Sequence, residues 1–188
     1  MTVLVVYASK HGATRQIADR IAATLATAGQ PAAARPTENT GDPACYDAFV
    51  IGASAYYGHW LKPATEFIRA HQALLAERPV WLFSSGPLGT ETTDAQGHDL
   101  RDATLPKEIS ELHEATRARG HRVFFGALDP HSLTLPERTV RRLPAGRALL
   151  PEGDFRDWAD IDAWAGAIAR ELSGPQPADP EPDSHVPA

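Results

Sequence analysis

Cysteine is nearly absent from this 188-residue chain, and Cys45 stands alone. That excludes an intramolecular disulfide and any thiolate metal cluster built from this chain by itself. Cys45 precedes a strand-like run and is expected to be inert packing rather than a nucleophile. Long apolar runs are missing as well. None approaches the roughly 18 residues that suggest a membrane span. The opening VLVVYA has no basic flank and is too short for a signal segment, so a soluble, cytoplasmic protein is expected. Positive charge is also scarce. Eighteen Lys and Arg against 24 Asp and Glu leave a net charge of −6, which repels a nucleic-acid backbone, so no nucleic-acid partner is expected. The histidines, among them His59, His71, His113 and His131, show no His-Glu-x-x-His spacing, and no metal is expected. A Gly-x-Ser-x-Gly nucleophile motif and internal repeats are likewise missing.

Hydrophobic residues make up 43% of the chain, enough for one well-buried core at this length. Their arrangement alternates between two periods. Val3 to Tyr7 is a continuous β-branched and aromatic run, as in a strand covered on both faces. Ile17, Ile21 and Leu25 then recur every four residues until Gly29, which suits a helix C-terminus. A weaker strand is expected over Pro31 to Arg35. AFVIG at Ala48 to Gly52 and VWLF at Val80 to Phe83 repeat the buried-strand composition. Between them Pro63 opens a helix carrying Phe67, Ile68, His71, Leu74 and Leu75 on one face. A modest helix over Ile109, Leu112 and Thr116 ends near Gly120, and a strand is expected over Val123 to Leu128. Trp158, Ile161, Ala165, Ile168 and Leu172 mark a final helix. Five such alternations favour a parallel sheet with helices on both faces, a three-layer α/β domain. Such sheets bind ligands beyond the carboxyl ends of their strands.

Three segments lie at those ends. Ser9, Lys10, His11, Gly12, Ala13 and Thr14 follow the first strand and enter a helix, where free backbone N–H groups and the helix dipole stabilise an anion. Ser9 and Thr14 add hydroxyls, and Gly12 allows close backbone approach. The spacing is neither G-x-G-x-x-G nor a P-loop. Ser54, Ala55, Tyr56, Tyr57, Gly58 and Trp60 follow the third strand and offer aromatic faces for a planar ring, Tyr57 foremost and Trp60 next. Ser84, Ser85, Gly86, Pro87, Leu88 and Gly89 follow the fourth and present backbone donors and acceptors to a ring edge.

YASKHGATRQIA resembles the phosphate loop and first helix of the flavodoxin family. GASAYYGHWLKPATEF, FFGALDP and DWADIDAWAGAIA resemble a subgroup of it that includes the menaquinone-dependent protoporphyrinogen dehydrogenases. That resemblance runs from Val3 to about Leu172. It implies a five-stranded parallel sheet in the order 2-1-3-4-5, non-covalent FMN held by the three segments above, and a small-molecule or quinone redox partner or a redox protein. The family loop usually carries hydroxyls at three places, and His11 stands at the middle one.

Two long connections have no place in a minimal domain of this type. Ser84 to Pro106 lacks a helical period and is expected to be a loop, with His98 and Asp94 exposed on it. Asp129 to Asp154 carries Arg138, Arg141, Arg142 and Arg147, while Pro144 and Gly146 interrupt any long amphipathic helix. Residues 1–173 are expected to form the FMN domain. Residues 174–188, rich in proline and acids, are expected to be a mobile tail. The preferred reading is an FMN-dependent oxidoreductase. The alternatives are a flavodoxin-type electron carrier without its own substrate, and a binding module that kept the fold and lost the cofactor.

Overall fold

A computed structural model describes residues 1–93 and 96–174, with backbone alone at 147–149. Asp94, the side chain of Arg147 and the tail beyond Gly174 lie outside the described residues. In chain order the elements are β1 (Val3–Ala8), α1 (Ala13–Thr27), β2 (Ala32–Pro36), β3 (Ala48–Tyr56), β4 (His59–Trp60), α2 (Lys62–Ala70), α3 (Gln72–Ala76), β5 (Val80–Ser85), α4 (Leu100–Ala103), α5 (Ile109–Thr116), β6 (Gly120–Phe124), β7 (Ala127–Leu128), α6 (Leu135–Arg141), α7 (Pro144–Leu149), β8 (Gly153–Asp154) and α8 (Trp158–Ser173).

β-branched runs build the sheet, and their pairing is parallel throughout the order β2-β1-β3-β5-β6. Numbered among the parallel strands alone this is 2-1-3-4-5, the order expected. The short β4 folds back antiparallel on the end of β3, and β7 pairs with β8 in a separate two-stranded ribbon. Alternate side chains leave the sheet on opposite faces. Val3, Val5, Val50 and Phe83 pack against Ile17, Ile21 and Leu25 of α1 and Ile161, Ala165 and Ile168 of α8. Leu4, Val6, Phe49, Ile51 and Leu82 pack against Phe67 and Ile68 of α2, Leu75 of α3 and Leu112 of α5. Each fully buried aliphatic side chain contributes roughly 1.5–3 kcal/mol. The loops that leave the strands gather at the carboxyl edge of the sheet. Among the described residues, no helix is long and apolar enough to cross a membrane.

Several boundaries differ from expectation. The second helix breaks at His71, whose φ of −116° is not helical and whose Nδ1 donates to the Phe67 carbonyl at 2.9 Å. The last parallel strand begins at Gly120, not Val123, and ends at Phe124, so Ala127 and Leu128 belong to the outlying ribbon. The 84–106 connection is not wholly irregular. Asp99 caps α4 by accepting from the Arg101 amide at 2.8 Å, and Thr93 bridges Asp99. Cys45 is exposed in a short 3₁₀ turn, its Sγ 3.8 Å from Asp42 Oδ2. The turn precedes β3 on the surface, so the expected packing role does not hold.

Candidate functional site

The loops after β1, β3, β5 and β6 converge on one cleft at the carboxyl edge of the sheet. It is lined by His11, Ala13, Ser54, Ala55, Tyr56, Ser85, Gly86 and Leu88 from the expected segments. Gly126, Ala127, Leu128, Leu133, Glu137 and Leu150 complete it.

The β1–α1 loop turns on Gly12, whose φ of +88° is available to glycine at little cost. Gly12 donates its amide to Ser9 Oγ at 3.1 Å. α1 has no side-chain cap and no acid in its first turn, so its leading amides have no carbonyl of the helix to bond. Thr14 is fully buried, and its Oγ1 lies 2.7 Å from Ser54 Oγ at the end of β3. This hydroxyl pair joins the first two loops beneath the helix N-terminus. Opposite, the Gly86 amide donates to the Phe124 carbonyl at 3.1 Å and the Gly126 amide to the Pro87 carbonyl at 2.8 Å. A Cβ on Gly126 would stand 3.2 Å from Leu88 and 3.5 Å from Ser85 Oγ. Glycine there lets the third and fourth loops touch.

The aromatic residues divide differently from expectation. Tyr56 lines the cleft, with its ring 6.3 Å from that of His11 and under the Lys10 ammonium at 5.4 Å. Burial, helped by the Glu137 charge, pushes its hydroxyl up to about 12, so it stays protonated as a donor. Tyr57 stands at the tip of the β3–β4 turn at φ +52° and 92% exposed, with Gly58 at φ +75° beside it. Trp60 presents no face to the cleft. It is buried in the core, where its indole N–H donates to Ser84 Oγ at 2.7 Å. Ser84 is itself 1% exposed, with its hydroxyl 2.8 Å from His121 Nε2. Burial, then the charge of His113, lowers the His121 imidazole to about 4. Trp60 donates to Ser84, whose hydroxyl also meets the neutral His121 ring, and both expected ring contacts are committed to the interior. Ser85 lines the cleft in place of Ser84, Pro87 is buried behind it, and Gly89 leaves the loop at φ +114°.

Glu137 and Arg156, which are not among the residues expected at the site, both sit against the β1–α1 loop and the start of α1. Glu137 Oε1 is 2.5 Å from Lys10 Nζ and 3.4 Å from His11 Nε2, while its Oε2 accepts from the Thr134 amide at 2.9 Å. Burial of the carboxyl opposes ionisation, yet the hydrogen bonds from Lys10 and Thr134 prevail and hold it down to about 2. The spelling TLPE is a capping box, a legible signal for a helix start at Thr134. Arg156, its side chain 7% exposed, grips both Asp154 oxygens at 2.7 Å, donates to Gln16 Oε1 at 2.6 Å and stacks on Trp158. No local spelling announces it.

The donor set suits a phosphate-bearing planar cofactor: uncapped amides, a buried hydroxyl pair, one protonated phenol and a backbone-lined wall. Ribbon β7–β8 and α6 narrow the space, and the cleft measures about 70 Å³. Two open hollows adjoin it. One of about 380 Å³ shares His11 and reaches Arg156. The other, about 320 Å³, shares Leu133 and is lined by Arg138, Arg141 and Arg142.

A flavodoxin-domain family model matches residues 4–145. Protoporphyrinogen IX dehydrogenase [quinone] of Escherichia coli strain K12 is 33% identical over 86 residues, which cover 45% of this chain. The chain thus spans about half the length of that curated relative, 48% of it. Among solved structures, a flavodoxin from the domain Archaea superposes with a TM-score of 0.57 at 15% identity, covering 92% of this chain and 99% of that one. A single-site mutant of the Pseudomonas aeruginosa flavodoxin gives 0.56 at 17% identity over 93% of this chain and 100% of its own. The rubredoxin oxygen:oxidoreductase of Desulfovibrio gigas gives 0.56 at 12% identity, over 92% of this chain and 36% of its own.

Proposed function

Because the chain belongs to the flavodoxin-domain family, we propose that residues 1–173 form an FMN-binding redox domain and that the protein is an FMN-dependent oxidoreductase. The observation that carries the reading is the convergence on one cleft of the uncapped α1 N-terminus and the buried Thr14–Ser54 hydroxyl pair. When bound, FMN supplies the capacity to take up two electrons from a reductant and pass them to an acceptor.

The chain's own residues provide the rest. The leading amides of α1, with the Ser9 hydroxyl, hold the phosphate using the helix dipole, and Lys10 of the same loop is available to it once Glu137 lets go. Ser54 orients Thr14 from below. Tyr56 donates its retained proton, and the exposed Tyr57 next to it covers one ring face. Apart from the Gly86 amide and the Pro87 carbonyl, which hold the loops together, the backbone of Ser85 to Gly89 offers partners to the pyrimidine edge. The low-dielectric surroundings and overall negative charge disfavour added negative charge on the ring, which lowers the potential.

A porphyrinogen-like or other reduced small molecule as donor and a quinone as acceptor are supported by the partial match to the Escherichia coli dehydrogenase. The arginine-lined hollow beside the cleft suits carboxylates on such a donor. An electron carrier is the second reading, favoured by the 92% exposure of Tyr57 in the turn next to the cleft-lining Tyr56. Anaerobic titration of the FMN-loaded protein separates the two. Reduction by a porphyrinogen with reoxidation by a quinone supports the enzyme. Inertness to both, with rapid exchange to a redox protein, supports the carrier.

A further inference from the structure

We propose that the segment carrying α6 is a strap over the cofactor cleft, latched by Glu137, which occupies Lys10 and His11 of the phosphate loop until a phosphate displaces it. This rests on the FMN reading above. The latch joins residues distant in sequence at one point. Glu137 reaches Lys10 at 2.5 Å and His11 at 3.4 Å, and His11 Nδ1 donates to the Ser132 carbonyl at 3.1 Å.

Apolar packing does not hold α6 in place. None of its residues is buried, and Leu135 and Val140 are 78% and 47% exposed. Leu133, just before the helix, is a buried apolar anchor in contact with the cleft. An element with so little buried surface and a polar clasp belongs to the low-stability end of a fold and opens readily. Arg138 spends its guanidinium on the His131 and Leu133 carbonyls of its own turn, so the strap keeps its internal shape when it lifts.

The cleft behind the strap requires that it lift. Its volume of about 70 Å³ lies far below the roughly 300–1,000 Å³ of small-molecule and cofactor pockets. The walls it shares with the larger open hollows include His11 and Leu133, one of them the latch's partner and the other the strap's anchor. Lifting the strap merges the three spaces. A phosphate dianion arriving at the loop repels the Glu137 carboxylate and competes for Lys10, so binding and unlatching are one event.

Glu137→Gln tests this, because glutamine preserves the capping box while removing the charge. Two readouts apply to apo wild type and variant: the rate of FMN fluorescence quenching after rapid mixing, and trypsin cleavage after Arg138, Arg141 and Arg142. The expected result is association at least about tenfold faster in Glu137→Gln, a smaller gain for riboflavin, and faster cleavage of the strap. Gly146→Ala is the control, loosening the α6–α7 contact while Glu137 keeps its charge, so it should not speed FMN association as Glu137→Gln does, and an equal gain would overturn the latch. A Cβ there would overlap the Val140 carbonyl oxygen, which pries α6 from α7 with every charge intact, and it should also speed cleavage. FMN association equal to or slower than wild type in Glu137→Gln overturns the latch. If wild type and variant both ignore FMN, the cofactor reading fails. Trypsin then decides the latch alone: faster cleavage of Glu137→Gln sustains it, and unchanged cleavage overturns it.

Discussion

Gly12 has a left-handed backbone, φ +88°, and the proposed phosphate adds a second requirement, an approach free of negative charge. Its Cβ position faces open space, so size is not what forbids a side chain there. Asn and Asp both tolerate this conformation better than other residues do, and they differ only in charge. Gly12→Asp should lose FMN in a desalting assay while Gly12→Asn keeps it; loss in both would place the fault in the backbone instead. The buried polar chain Trp60–Ser84–His121 makes a separate demand. Ser84→Ala strands the indole N–H and the imidazole nitrogen, each costing about 1–3 kcal/mol, and urea unfolding should show that loss. The same imidazole couples folding to pH. Its pKa of about 4 in the folded state lies below the ordinary value of 6.5. The unfolded chain therefore binds more protons between those values. Stability from His121 is complete above the window and falls as pH drops through it, by up to about 3 kcal/mol. Urea midpoints followed from neutral to pH 4.5 should fall more steeply in wild type than in His121→Gln, and parallel curves would contradict the assignment. The Trp60–Ser84–His121 chain is not legible from residue type. Ser84 and Trp60 are expected at the ring because they follow strands, and which way such a residue points depends on the strand's register against its neighbours.

At the scale of elements, the buried strands and α1, α5 and α8 are readable because their periodicity is their packing. What periodicity does not supply is where helices yield to local polar competition, as at His71, and where a strand recruits polar residues. Gly120, His121 and Arg122 pair fully with β5 despite their composition, because a parallel neighbour supplies hydrogen bonds to any side chain's backbone. The insertion 129–154 is readable as broken at Pro144 and Gly146, and the break proves to be a tight contact between two short helices. Gly52 shows the same logic in the sheet. A Cβ on it would overlap the Phe83 ring, which is wedged against Phe124 and Trp164. Gly52→Ala should cost about 1–3 kcal/mol or more through overpacking, visible as a lower thermal midpoint. An unchanged midpoint would mean that the ring moves aside without strain.

Over the whole molecule, sequence order alone assigns three loops to one ligand. Strand order 2-1-3-4-5 does bring their ends together, with the β6 exit and the insertion as additional walls. The insertion's share is hidden in the sequence because its contact with the first loop joins residues 127 positions apart, Lys10 and Glu137, and no local pattern encodes that meeting. Its arginines draw attention in the sequence, whereas one of its acids makes the contact. The central claim remains a phosphate held by main-chain amides at the start of α1. The most direct measurement is a fluorescence titration of the apo protein with FMN and, in parallel, riboflavin. FMN should quench to an end point at one per chain and riboflavin should bind far more weakly, since it lacks the group those amides hold. Equal affinity for the two, or no quenching by either, would contradict it.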